Sequence, residues 1–295
     1  MTCSWAPVQL GRTDLRVVPL GLAASYGIGD KDVERAFERG LNLYYWGSQR
    51  SPEFGRALKR IASRDRGKVV TVIQSYARSP SRIARSLENA LRALRLEYAD
   101  VLLLGWWNLP PHERILAGAA DLVRRGKARH LMLSCHHRPT FPALARDPRV
   151  GLLMLRYNAA HPGAEWDVFP HLESNRPGVV AYTTTSWRQL LDPAFVPTGE
   201  RVPTGTDCYR FVLSSPYVDA CYTGPRNGAE LDSAMRALDL GPMNEEELAW
   251  MRRVGANVRE RTRLRARGMS LADRLMNFLS GFGFRTAGEL PRSGG

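Results

Sequence analysis

The chain has 295 residues, 44% of them hydrophobic, which is enough to bury a sizeable core in one large domain or two small ones. It contains no apolar run of ~18 residues and its start, MTCSWAPVQLGRTDLRV, lacks a basic segment followed by an apolar stretch, so neither a membrane span nor a secretory signal is expected. The net charge is +13 and the pI near 10.1. Only Lys31, Lys59, Lys68 and Lys127 of the 42 basic residues are lysines, and the arginines are spread over nearly every helix, so the sequence points to a generally basic surface rather than a nucleic-acid site. Cys3, Cys135, Cys208 and Cys221 are scattered without metal-ligand spacing, a pattern that fits a reducing cytoplasm better than a disulfide scaffold.

In chain order, PVQLGRTDLRV predicts a small hairpin, and short apolar runs then alternate with helical patterns. A strand over Val17–Leu22 precedes a helix that Asp30 is placed to cap. A strand over Leu41–Tyr45 precedes a helix opened by Ser51-Pro52-Glu53, with serine as cap and proline at the first helical position. After a strand over Val69–Ile73, Ser79-Pro80 repeats that signal, and Ile83, Leu87, Leu91 and Leu94 form one buried stripe at helical spacing. Strands over Val101–Leu104 and Ala128–Leu133 follow, separated by a helix opened by Pro110-Pro111. A short helix near Pro139–Arg146 leads to strands over Leu152–Tyr157, Gly178–Tyr182 and Val218–Tyr222. Glu245 to Met276 reads as an appended helix and tail, and the densest basic run, Arg259 to Gly268, as a solvated helix face or tail.

Strands that are apolar throughout are buried on both faces. Eight of them alternating with about eight helices predict an α/β (β/α)8 TIM barrel. The chain then reads as one barrel domain over residues 1–295, with residues 1–16 as an N-terminal hairpin at the barrel bottom and 243–295 as the C-terminal helix and tail.

Such barrels place their chemistry at the C-terminal strand ends. Those ends read AASYG, YYWGSQ, QSYAR, GWWNLPP, SCHHRP, RYNAAH, YTTTSWR and TGPRNG. They are rich in Tyr, Trp and His and poor in carboxylates. No acid pair suits glycosidase chemistry. No metal site is expected, since His136 and His137 are adjacent on a strand end and point opposite ways; Cys135 beside His136 fails as a nucleophile–base dyad for the same reason. The last ending differs. Gly224, Arg226 and Asn227 at a helix start make an anion site suited to a phosphate, or an ordinary helix cap.

The sequence resembles the aldo-keto reductases over nearly its whole length, through LGRTDLRVVPLGL, GLNLYY with EFGRAL, ARSLENALRALRLEYADVLLL, LVRRGKARHLMLS, RYN, VVAY and TGPRN with LDSAMRALDL. The resemblance implies a (β/α)8 barrel that binds NADPH or NADH and transfers hydride to a carbonyl. It implies a tyrosine acid, a lysine paired with an aspartate, and a histidine orienting the carbonyl. Here Tyr45 stands at the aspartate position, Gln74 at the lysine and Gly105 at the histidine, and neither Gln49 nor Arg50 supplies the tyrosine. On the cofactor side, Ser134 matches the serine expected to hold the carboxamide, with Cys135 in place of its asparagine neighbour and Met154 in place of the glutamine. Tyr182 matches the ring stacked on the nicotinamide, and Gly224, Arg226 and Asn227 match the phosphate-binding turn. Glu230 is a carboxylate where a 2′-phosphate would lie.

Three readings follow. The first is a divergent NAD(P)-dependent oxidoreductase acting on a carbonyl or alcohol, with Tyr45, Tyr76 or His136 as substitute catalytic groups and Tyr26, Trp46, Trp106 and Trp107 lining a pocket for a small-molecule substrate or ligand. The second is an enzyme of another class on the same barrel. The third is a catalytically dead pseudo-reductase kept as a dinucleotide-binding or regulatory protein.

Overall fold

The structure is a computed structural model that describes residues 6–47 and 50–268. The chain begins with a two-stranded hairpin, β1 (Val8–Gln9) and β2 (Arg16–Val17), antiparallel with Val8 opposite Val17. Eight parallel strands follow: β3 (Leu20–Ala23), β4 (Leu43–Trp46), β5 (Val70–Ser75), β6 (Ala99–Leu104), β7 (Ala128–Ser134), β8 (Val150–Arg156), β9 (Gly178–Tyr182) and β10 (Ala220–Thr223). They close into a barrel in sequence order, with β10 paired to both β9 and β3.

The strands are apolar on both faces because each face meets a different layer. On one parity, Leu43, Val72, Val101, Leu103, Met132, Leu152 and Val180 fill the barrel interior. On the other, Leu102, Leu104, Leu131, Leu133, Leu153 and Leu155 pack against the surrounding helices. Leu10, Leu15 and Val17 of the hairpin join the interior cluster, so the hairpin plugs the bottom as expected. Gly11 makes that fit possible: at φ +51° it lies so close to Pro177 and Gly178 that an added Cβ would fall 2.2 Å from the Gly178 nitrogen. The hairpin takes Val17, which the sequence assigned to the first barrel strand.

The helices are α1 (Asp30–Glu38), α2 (Pro52–Asp65), α3 (Pro80–Leu94), α4 (Glu113–Arg124), α5 (Phe141–Arg146), the single turn α6 (Ala164–Asp167), α7 (Gly205–Leu213), α8 (Gly228–Leu240) and α9 (Glu245–Gly268). Ser51 caps α2 by accepting from the Phe54 N–H, and Asn227 caps α8 by accepting from the Glu230 N–H at 3.0 Å. Two expected starts are corrected. Gly29, not Asp30, is the cap of α1; Asp30 is its first residue and pairs with Arg60 at 3.0 Å. The helix expected at Pro110-Pro111 begins at Glu113, behind His112, whose Nδ1 accepts from the Arg114 N–H. Ser79 stands at the cap position of α3 but makes no capping bond. The stripe Ile83, Leu87, Leu91 and Leu94 on α3 is buried. α9 lies across the outer layer on Trp250, Met251, Val254 and Val258; the expected tail beyond Gly268 lies outside the described residues.

Candidate active site at the barrel mouth

The aromatic run at the end of β4 is divided by strand alternation. Tyr44 and Trp46 face outward, and Trp46 packs over Gly55 of α2 with its indole N–H on the Ser51 carbonyl at 3.1 Å. Trp46 is therefore not brought to the mouth, a correction to its expected place in the pocket. Tyr45 faces inward, with its ring 5.1 Å from that of Tyr222 and its hydroxyl donating to Gln74 Oε1. The two residues that resemblance sets at the aspartate and lysine positions thus meet as a neutral, buried, hydrogen-bonded pair. Of the shortened segment after Trp46, Gln49 lies outside the described residues. Arg50 stacks over Trp46 at 5.5 Å and donates to the Gln74 carbonyl at 2.9 Å.

Gly105, at the end of β6, is required by this arrangement. A Cβ there would lie 2.1 Å from Gln74 Nε2 and 2.7 Å from Tyr76 Cε1. The Tyr76 ring therefore lies over the place where a Gly105 side chain would begin, and it is 44% exposed to the mouth. Arg78 donates to the carbonyls of Gly105 at 3.0 Å and Trp106 at 2.7 Å, with its guanidinium 4.2 Å above the Trp107 ring. It also stands near enough to Tyr76 for the two to interact electrostatically. Trp106 sits at φ +60°, and its N–H donates to Ser134 Oγ at 3.1 Å while the next N–H, of Trp107, donates to the Ser134 carbonyl at 2.7 Å.

Across the mouth, Trp106, His136 and Tyr182 form an edge-to-face arc, with ring centroids 6.0 and 6.2 Å apart. Burial, and then the charge of Arg156, push the His136 imidazole down to about 4, so it is neutral at pH 7. Both histidines lie beyond β7, which ends at Ser134, and His137 is exposed with its Nδ1 3.3 Å from Thr140 Oγ1. Cys135 is buried, with its thiol on the His137 carbonyl and pushed by burial up to about 12, which leaves it a packing residue. Met154 lies beside Ser134 in the β7–β8 register. The Asn158 amide donates to the Thr183 carbonyl at 2.7 Å. Among the described residues, no group of three His, Cys, Asp or Glu side chains is arranged to hold a metal ion.

The anion turn after β10 is filled by a carboxylate of the chain itself. Glu230 accepts from the Arg226 N–H at 3.0 Å and from its Nη2 at 2.6 Å, and from Arg188 Nη1 at 3.0 Å. These partners, Arg226 foremost, hold its carboxyl down at about 2. The Tyr26 ring, 57% exposed, lies on Gly224, where a Cβ would be 2.4 Å from Tyr26 Cδ2. Tyr26 is therefore at the turn rather than among the Trp106 and Tyr182 rings. The sequence sets Glu230 against a 2′-phosphate without showing its pairing to Arg226 and Arg188, and Arg78, Arg156 and Arg188 are not among the residues it singles out. Arg156 carried a readable signal: it ends a strand on the parity of the inward-facing Leu152 and Met154.

The sequence model of the aldo/keto reductase family matches residues 30–193, and the chain belongs to that family. Two solved structures share the fold: an aldo-keto reductase from Bacillus halodurans in its apo form, with a TM-score of 0.70, and in its holo form, with 0.73. Each is 16% identical in sequence, and the match covers 85% of this chain and 96% of the other. Among the described residues no helix is long and apolar enough to cross a membrane.

Proposed function

We propose that the chain is a nicotinamide-dependent oxidoreductase acting on a small carbonyl or alcohol compound at the barrel mouth, with Tyr76 as its proton donor and acceptor. The observation that carries this reading is the Tyr76 ring over Gly105, a half-exposed phenol in the space of the missing histidine side chain. Proton transfer from Tyr76 leaves negative charge beside Arg78, which is fixed by the carbonyls of Gly105 and Trp106. His136, held neutral, is suited to hydrogen-bond a substrate oxygen without bringing a second charge to it. Tyr45 is a positioning residue on this reading, because its proton is committed to buried Gln74.

The residues at the turn fit a dinucleotide with a free ribose 2′-hydroxyl, as in NADH, because a carboxylate accepts from a hydroxyl and repels a phosphate. Ser134 and Tyr182 would hold its nicotinamide end. When bound it supplies the hydride. Buried free thiols at Cys135, Cys208 and Cys221 support a reducing, cytoplasmic setting.

The test is NADH consumption, followed in the ultraviolet, over a panel of aldehydes and ketones. Tyr76→Phe is expected to lower kcat by ~10²–10⁴-fold with NADH affinity unchanged, the usual scale of lost acid–base help. Equal turnover in the variant rejects the assignment. A second reading, a dinucleotide-binding protein without turnover, is favoured by the neutral Tyr45–Gln74 pair, and it predicts NADH binding with no consumption of any substrate.

A further inference from the structure

The end of β8 carries a cation that no acid answers. Arg156 is the last residue of the strand, opposite Tyr182 of β9. Leu152 and Met154 precede it on the same face and both belong to the barrel interior. The two-residue period therefore directs Arg156 into the open mouth. Among the described residues its guanidinium has no carboxylate partner and no hydrogen bond, and it lies 5.4 Å from the centre of the Trp187 ring. By contrast, Arg210 grips both oxygens of Glu247 and two backbone carbonyls, Arg176 grips both oxygens of Asp219, and Arg78 is held by two carbonyls. A partly buried guanidinium left without an anion is a cost that folding alone does not explain.

The surroundings favour an anion further. Trp187 is held in place by strained backbone, with Ser186, Trp187 and Arg188 all at φ between +50° and +71°. Its ring meets His161 edge-on at 6.0 Å. Arg138, Arg259 and Arg263 stand close enough to His161 to oppose its protonation along with Arg156. A separate cleft of about 480 Å3 between residues 159–162 and α9 is lined by Arg259 and Arg263, by Arg252, which is paired with Glu165, and by Glu260.

We propose that the mouth binds a small organic acid, its anionic group on Arg156 and its apolar body against Trp187, Tyr182 and His136. The inference rests on the mouth being the ligand site, as above, and not on turnover. It is tested on the full chain by calorimetric titration with phenylpyruvate, its uncharged methyl ester, and benzylphosphonate, without cofactor. At least one of the two acids is expected to bind ~10-fold or more tightly than the ester, a difference of about 1.4 kcal/mol. Which acid binds more tightly tells a carboxylate from a phosphate-like group. Arg156→Met is expected to abolish that preference, leave the ester unchanged and raise Tm, because an unanswered charge is removed; a purely structural arginine would lower Tm. Arg156→Lys should keep part of the preference. Equal binding of acids and ester by the wild-type protein, which needs no variant, overturns the acid assignment and leaves the mouth as a ligand site. Binding of none of the three overturns the organic-acid assignment, while the NADH test above stands apart from it; unchanged acid affinity in a folded Arg156→Met protein overturns the role of Arg156.

Discussion

Glu230 holds Arg226 by its backbone N–H at 3.0 Å and by Nε and Nη2 at 3.0 and 2.6 Å, so the turn proposed to receive a dinucleotide already carries its own anion. With its carboxyl drawn down to about 2, Glu230 is ionised at every pH at which the protein would be handled. A 2′-phosphate would have to displace it from two arginines and also meet its charge. Wild-type protein is expected to bind NADH more tightly than NADPH. Glu230→Gln should remove the repulsion, free Arg226 and Arg188, and shift the ratio toward NADPH by ~10-fold or more, within the ~1.5–3 kcal/mol of a charged hydrogen bond. Fluorescence titration with both dinucleotides reads this directly; an unchanged ratio in the variant removes Glu230 from any part in cofactor choice.

Tyr45 and Gln74 form the second relationship with a measurable consequence. Both are buried, and the phenol donates to the amide oxygen. Tyr45→Phe keeps the ring against Tyr222 but leaves Gln74 Oε1 without that donor, and is expected to cost ~1–3 kcal/mol in urea unfolding. If Tyr45 were the proton donor, the same change would instead abolish turnover at nearly unchanged stability.

Gly105→Ala tests the same cluster from the other side. The new Cβ lies in the space of Gln74 Nε2 and the Tyr76 ring, so either Gln74 leaves Tyr45 or Tyr76 swings outward. Overpacking of this kind costs ~1–3 kcal/mol. Once Tyr45→Phe has released Gln74, the amide can yield, so the double variant is expected to lose less than the sum of the two single losses. Additive losses would mean that Tyr76, not Gln74, gives way.

The barrel was legible because its strands are short, apolar on both faces and evenly interrupted, and burial on two sides leaves no other pattern. Ser51 and Asn227 were legible as caps because capping is local. Asp30 misled because a glycine before it serves equally as cap, which leaves the carboxylate free for Arg60. The site was less legible for a different reason. Tyr45 and Gln74 are 29 residues apart and Arg188 and Glu230 are 42 apart, so each pair exists only once strands and loops are placed. The run Tyr44-Tyr45-Trp46 is one aromatic clump in the sequence, but strand alternation sends only its middle member inward and leaves Trp46 outside the pocket. The same rule, applied to RYNAAH, would have singled out Arg156.

His136 and His161 give the chain a dependence on pH whose sign follows from burial. Desolvation, and after it the nearby charge of Arg156, holds the two imidazoles at about 4 and about 3, against 6.5 for an ordinary histidine. In the unfolded chain both take up protons as pH falls through 6.5, while in the folded protein they resist until pH reaches 4 or below. The unfolded state therefore binds more protons across that interval, and stability rises with pH from about 4 to 6.5 and levels off above it. Urea unfolding at pH 5 and pH 7 is expected to give a lower midpoint at pH 5. His136→Gln and His161→Gln should each flatten the difference, and the pair should remove most of it. The ring resonances of both histidines should stay constant from pH 8 to 5.5 in the folded protein. An organic acid seated on Arg156 would offset one of the charges that oppose protonation, so its binding should move the His136 titration upward, toward 6.5. A His136 titration that does not move when a bound acid saturates the mouth would place that acid elsewhere on the protein.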